Sequence, residues 1–284
     1  MGKTIVEKIL SDHSGQDVRA GELVIADVDL VLGHDGNRPQ AFDVAARMGM
    51  KAPFDPSKVV LVMDHAPLAF AESVASVHQR MRAFADATGA RLFEGGDGIC
   101  HQLLPEMGLA VPGDLVVGCD PHTCTIGALN AMGVGGGGSD VAAALMSGKL
   151  WFRVPESLRL LLHGVLPAGV YAKDLALRLV GDLGTDGANY LSVEFAGEGL
   201  RSLTVDSRIT LANMAIEMGA KTAPMECDDR VLAWVRERTD RSPRPVAADP
   251  DARYLEVREY DLARLEPMIA CPHQVDNVVP VTGG

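Results

Sequence analysis

The 284-residue sequence is short of positive charge: 26 Lys and Arg stand against 38 Asp and Glu, a formal net charge of -12. Phosphate backbones demand basic patches and none is evident, so nucleic acid is excluded as a primary partner. No apolar run reaches transmembrane length, and Met1-Gly2-Lys3-Thr4-Ile5-Val6 continues into Glu7, Lys8 and Asp12, not into the apolar core of a signal peptide. Val6 also denies Gly2 a myristoylation motif. The expectation is a cytoplasmic protein without a membrane partner. Cysteine is scarce: Cys100, Cys119, Cys124, Cys227 and Cys271 are scattered, odd in number and free of any Cys-x-x-Cys pair. That favours reduced thiols over a disulfide framework and offers no zinc or iron-sulfur ligand set by itself. A Gly-x-Ser-x-Gly elbow is missing, and the glycine run at 135–138 lacks the Lys-Ser/Thr ending of a phosphate loop. The bulk composition, 47% hydrophobic and 23% charged, is that of a globular chain long enough for two cores.

What is present is a repeated pattern in the first half. Residues 4–10 have helical spacing. An apolar, β-branched run at 23–32 reads as a strand ending at Gly33-His34-Asp35-Gly36, and 41–48 as a short helix. A second run at 58–63 delivers Asp64-His65, followed by an amphipathic helix at 71–88 closed by Gly89. A third at 91–94 leads through Gly95-Gly96-Asp97-Gly98 to His101. The fourth, 115–117, opens after Pro112-Gly113-Asp114 and delivers Asp120, His122, Thr123 and Thr125. Four times an apolar run is followed by a turn and a histidine with an acid nearby. If the runs are parallel strands with helical crossovers, these turns share the sheet edge where α/β proteins place ligands. A carboxylate beside an imidazole fixes its tautomer and stabilises its cation, which suits acid work near neutral pH. Any one such histidine reads equally as a hydrogen-bonded structural residue; four at equivalent positions favour a shared polar site. His and Asp in this number also leave a mononuclear metal site open.

The pattern changes after a helix at 141–147 ended by Gly148, which sets an expected boundary: domain 1 over 1–150, carrying the histidine turns, and domain 2 over 151–284. In the second half 149–157 reads as a strand, 171–183 as a helix stopped by Gly184, 190–195 as a strand, 210–220 as a helix and 228–239 as a surface helix. Asn213 and Glu217 lie four apart and share a helix face, as a paired amide and carboxylate or as a solvated stripe. Prolines make 242–251 a loop. The tail at 269–284 is apolar and Pro-broken, and reads as a linker without a closing element.

Taken together, these segments resemble the aconitase superfamily, most closely the large subunits of 3-isopropylmalate dehydratase and archaeal-type homoaconitase. The carriers run the length of the chain: Met63-Asp64-His65; Gly98-Ile99-Cys100-His101-Gln102; Gly118-Cys119-Asp120-Pro121-His122-Thr123-Cys124-Thr125; Gly148-Lys149-Leu150-Trp151-Phe152-Arg153; Asn213-Met214-Ala215-Ile216-Glu217-Met218-Gly219; and Pro272-His273 to Asp276-Asn277-Val278. The resemblance implies three-layer α/β/α domains with mostly parallel sheets. It also implies a hydro-lyase that isomerises hydroxy di- or tricarboxylic acids around a 4Fe-4S cluster. His65, oriented by Asp64, is then the acid for the departing hydroxyl; His101, Asp120, His122 and Glu217 are catalytic groups; His34, Asp35 and Thr123 bind substrate; and Asn213 stands beside the cluster. No residue here is expected to ligate metal, because the family's cluster cysteines follow in a third domain. The implied partners are that cysteine-bearing domain or chain, a small subunit and the hydroxy acid. Two departures stand out. Pro121 replaces the family's usual Ser, removing a hydroxyl and an N–H, and the glycine run is poorer in side chains than the usual Gly-Ile-Gly-Ser/Thr, which would loosen that loop. The alternatives are a cluster-free binding or scaffold paralogue, or a mononuclear-metal hydrolase using the same histidines.

Overall fold

A computed structural model describes residues 2–36 and 40–283. Helix α1 (Ile5–Ser14) starts on a capping box in which Thr4 and Glu7 satisfy each other's amides, and ends at Gly15 in the left-handed conformation. The single strand expected at 23–32 is two. β1 (Leu23–Asp27) stops before Val28-Asp29, and β2 (Leu30–His34) begins a different sheet. The cause is Asp29, whose carboxylate accepts the Leu115 N–H and a His13 ring contact and so turns the chain out of line. Helix α2 (Gln40–Arg47), β3 (Val59–Val62), α3 (Glu72–Thr88) and β4 (Arg91–Phe93) follow the sequence pattern closely. Next come α4 (Cys100–Glu106), β5 (Leu115–Gly118), a nine-residue 3-10 helix (Pro121–Leu129), β6 (Met132–Gly135) and α5 (Gly138–Ser147).

β2 to β6 form one fully parallel sheet in the order β4-β3-β2-β5-β6. Its inner strands β2, β3 and β5 are buried on both faces, as parallel sheets require. Val31, Val59, Leu61, Leu115 and Val117 face a core shared with α1, Met81 of α3, and α5. The intervening Leu30, Leu32, Val60, Val62 and Val116 face a second core with Leu103 and Leu104 of α4 and Ile126. This is the expected three-layer arrangement. The order reverses between β2 and β5, so the crevice beyond their carboxyl ends is a topological switch point.

β7 (Lys149–Arg153) pairs antiparallel with β1, Asp27 opposite Lys149 and Leu23 opposite Arg153. The boundary expected at 150 therefore falls inside a strand that belongs with the first half. β8 (Ser157–His163), α6 (Ala172–Leu183), β9 (Ser192–Ala196), α7 (Glu198–Ser202), α8 (Val205–Met214), a 3-10 turn (Ala215–Met218), α9 (Asp229–Arg236) and β10 (Glu256–Asp261) complete the second half. Its parallel sheet, in the order β10-β8-β9, packs Leu158, Leu160, Val193 and Phe195 into a core with α6 and α8. The tail departs from expectation: β11 (Met268–Ala270) and β12 (Val278–Pro280) form an antiparallel hairpin. It closes on α6, where Met268 N donates to Asp174 at 2.7 Å. Pro272 and Pro280, which argued against a regular element, sit in the turn and opposite Met268 at the strand end. No helix among the described residues is long and apolar enough to cross a membrane.

Candidate active site

The carboxyl ends of β2, β3 and β5, with the start of α4, bring His34, His65, His101 and His122 around one carboxylate, Asp120. The strand-then-turn pattern does this because each strand ends flush with the sheet edge and the residue just beyond it must face the crevice. Asp120 also caps the 3-10 helix, its Oδ1 accepting the His122 N–H at 2.7 Å. Pro121 is then the first helical residue, where an N–H would go unused, so the missing amide costs the turn nothing. Oδ1 also meets His101 Nε2 at 2.8 Å and His122 Nδ1 at 3.2 Å, while Oδ2 faces His65 Nε2 at 3.4 Å and His34 Nε2 at 3.6 Å. Burial alone would raise this carboxyl; the hydrogen bonds from His101 and His122 overcome it and hold Asp120 well below the usual carboxylate range.

The imidazoles are not equivalent. His65 and His122 are the accessible ones, their side chains 38% and 36% exposed, and His65 Nδ1 lies 2.7 Å from Asp64 Oδ1. Asp64 is anchored in turn by the Cys100 N–H at 2.6 Å. Desolvation works against charge on His65, but Asp64 and then Asp120 more than offset it, so its pKa is raised. The His34 ring stacks on His65 with centroids 3.9 Å apart. Burial, and secondarily the charge on His65, lowers the pKa of His34 and keeps it neutral. Its Nδ1 accepts the Gly36 N–H at 3.0 Å, so the proton sits on Nε2, facing Asp120. The hydrogen bond to Asp120 raises the pKa of His122 against desolvation, and Glu217 adds to the effect from 3.6 Å. His34 Nε2 and His101 Nδ1 are among the buried polar atoms of the described residues that have no hydrogen-bond partner.

Three residues read from the sequence as substrate-binding (Asp35, Thr123) or cluster-proximal (Asn213) have their polar groups engaged within the chain. Asp35 accepts from the N–H groups of Asp64, His65 and Ala66 at 3.0–3.1 Å and meets His78 Nε2 at 3.1 Å. A carboxylate has about four lone-pair sites, and these four donors fill them, so Asp35 shapes the turn that presents His65. Thr123 is fully buried, and its hydroxyl donates to the Asp120 carbonyl at 2.6 Å. Asn213 donates to the Thr125 hydroxyl at 3.0 Å, which donates to the His122 carbonyl at 2.6 Å, so the amide braces the 3-10 helix from α8. His78 was missed by the sequence pattern: it lies mid-helix in α3, and only Asp35's need for a fourth partner marks it. The glycine run has one required member, since a Cβ on Gly135 would lie 2.7 Å from Pro121 Cα, while Gly137 has ordinary room.

Residues 7–284 match the aconitase family (aconitate hydratase). The chain belongs to the aconitase family. It is 47% identical over 282 residues to the 3-isopropylmalate dehydratase large subunit 1 of Methanopyrus kandleri, covering 99% of this chain and 68% of that protein. It is 43% identical over 286 residues to the 3-isopropylmalate dehydratase large subunit of Aquifex aeolicus, covering 99% and 66%. A probable methanogen homoaconitase large subunit of Methanothermobacter thermautotrophicus is 44% identical over 283 residues, covering 98% and 66%. The histidine crevice of this family member is thus built by a chain about two thirds as long as these relatives.

Proposed function

We propose that this chain is the large-subunit portion of a cytoplasmic hydro-lyase of the 3-isopropylmalate dehydratase or homoaconitase type. It isomerises a hydroxy di- or tricarboxylic acid by dehydration and rehydration, together with a small subunit. One arrangement carries the reading: an exposed imidazole held by a buried acid, facing a carboxylate ringed by three further imidazoles, in a chain 47% identical to a dehydratase large subunit. We also propose two domains, divided just after β7.

The aconitase family implies a 4Fe-4S cluster, whose ligands must be thiolates. The thiols near the crevice do not fit that role. Burial pushes Cys119 and Cys124 up to about 12, and Cys100 higher still. Cys119 Sγ accepts the His34 N–H, and Cys124 Sγ contacts the Ala212 carbonyl at 3.2 Å. Neither group of convergent metal-capable side chains among the described residues, His34-Asp35-Asp64-His65 and His101-Asp120-His122, contains a cysteine. The cluster of the assembled enzyme is proposed to draw its cysteines from a separate domain or chain.

What these residues do is handle protons and negative charge. Hydroxide is a poor leaving group, so dehydration needs a proton delivered to the departing oxygen. His65 is suited to this: Asp64 holds Nδ1–H and, against desolvation, raises the pKa and so favours the charged ring, which faces Asp120 across the crevice. In rehydration the neutral ring takes the proton back from water. His122 supplies a second positive charge for an acidic substrate; neutral His34 donates from Nε2; Asp120 and Asp64 orient the rings. His65→Gln in the complex with the small subunit should lower turnover about 10²- to 10⁴-fold with substrate binding little changed. Unchanged turnover would remove His65 from the reaction. The grouping of His101, Asp120 and His122 within 4.8 Å also favours one second reading, a mononuclear-metal hydrolase. Zinc or manganese titration of the chain alone decides it: tight one-to-one binding lost in His101→Ala would support that reading over the first.

A further inference from the structure

A groove of about 330 Å³ lies between the two halves of the chain. Pro121 and Gly135 line one wall, Tyr190, Ile216 and Lys221 the other. Pro121 and Ile216 are chain neighbours of Asp120 and Glu217, so the groove opens beside the site. Its floor is apolar and it holds a single charged group. Lys221 Nζ donates to the Gly135 carbonyl at 2.9 Å and lies 5.6 Å from the Tyr190 ring centroid. Among the described residues no carboxylate is in ion-pair contact with it, although the chain has 38 acids. Tyr190 is held at φ 62°, a left-handed conformation uncommon for an aromatic residue. Burial works against the Lys221 charge, and Asp140 only partly restores it. An ammonium has three donors, and one is used.

The cations of the crevice are imidazoles, which lose charge as pH rises; Lys221 does not depend on them. We propose that Lys221 binds a carboxylate of the hydroxy-acid substrate from this groove, with the short apolar stretch of Pro121 and Ile216 against the substrate's carbon stem. The assignment rests on the hydro-lyase reading above. It concerns ground-state binding, so its signature is in KM and not in kcat.

The test compares Lys221→Met and Lys221→Arg in the assembled enzyme, this chain with the cysteine-bearing domain or chain, the small subunit and the cluster, with His65→Gln run alongside. Lys221→Met should raise KM about 10- to 100-fold, the worth of a hydrogen bond to a charged group, and change kcat less than about threefold. Lys221→Arg should recover most of the loss. A KM in Lys221→Met within about twofold of the parent overturns the proposal. So does an equal rise in KM in both variants with a lowered Tm in both, which would make Lys221 a structural clamp on Gly135. The controls separate the levels: if the parent assembly shows no dehydratase turnover, the hydro-lyase reading itself fails, and if His65→Gln leaves turnover intact, His65 leaves the reaction. If it collapses turnover while Lys221→Met leaves KM unchanged, only the Lys221 assignment falls.

Discussion

Asp35→Asn is nearly isosteric at a side chain whose oxygens are engaged within the chain, yet it should cost the fold and the reaction together. The Asp35 side chain is 1% exposed, and its oxygens receive Asp64, His65 and Ala66 N–H and the His78 ring. In Asn one oxygen becomes an NH2 group that faces two of those donors. With the amide oxygen kept under Asp64 and His65, the nitrogen meets Ala66 N–H and His78 Nε2. His78 can answer by changing tautomer, but the Ala66 N–H is left buried and unsatisfied, at about 1–3 kcal/mol. The three bonds that remain lose their charge assistance, roughly 1 kcal/mol each at most. The sum is about 1–6 kcal/mol, its middle about a third of an ordinary domain's stability and equivalent to a Tm lower by about 10 °C. Thermal unfolding followed by circular dichroism measures this, and turnover of the reconstituted complex measures the second effect, because the same turn carries Asp64 and His65. A Tm within about 2 °C of the parent would refute the claim that Asp35 organises the site.

Further outcomes follow from the charges. His65 has a folded pKa above its unfolded value near 6.5, so its contribution to stability is complete below that pH and lost as pH rises through the raised value. If it is the acid, kcat falls over the same alkaline window, and the limb disappears in His65→Gln. Asp35 and Asp120 have depressed folded pKa values, so the stability they provide is present above about pH 4 and lost as pH falls through those values; urea midpoints should rise with pH across that range. Cys124, fully buried and pushed up to about 12, should resist a thiol reagent at pH 8 until the chain is unfolded, and its labelling in the native state contradicts the burial. Iron and sulfide reconstitution of this chain alone should yield no stoichiometric 4Fe-4S chromophore; its appearance would make Cys119 and Cys124 ligands.

The convergence of the histidine turns was legible because parallel strands share a direction, so residues just past each apolar run must meet at one edge. Asp64-His65 and Asp120-His122 needed no more than that. The partition of roles was not legible. Asp35 reads in sequence as a substrate-binding acid, and only the path of residues 64–66 shows its lone pairs taken. His78 has no local signal, since its partner is 43 positions away. Short elements also escaped: α4 carries Pro105 inside it, β6 is Met-Gly-Val-Gly, and β10 alternates charges that mask its strand pattern. The split of β1 from β2 turned on one aspartate whose partners are distant in sequence. Each miss is a tertiary contact overriding local preference.

The 3-10 helix at Pro121–Leu129 gives Ile126 to the core beneath the five-stranded sheet and Ala128 and Leu129 to the core of the second half. Gly127 has no room for a side chain against the Ala223 carbonyl, and Cys124 contacts α8. The segment that begins at the site's carboxylate is therefore common masonry to both halves. Neither half can loosen without taking the keystone with it, so slow amide exchange at Thr123–Leu129 should disappear only when the whole chain opens. Most binding sites are assembled from the least stable parts of a fold; here the proton-handling centre is set into the part that should come apart last.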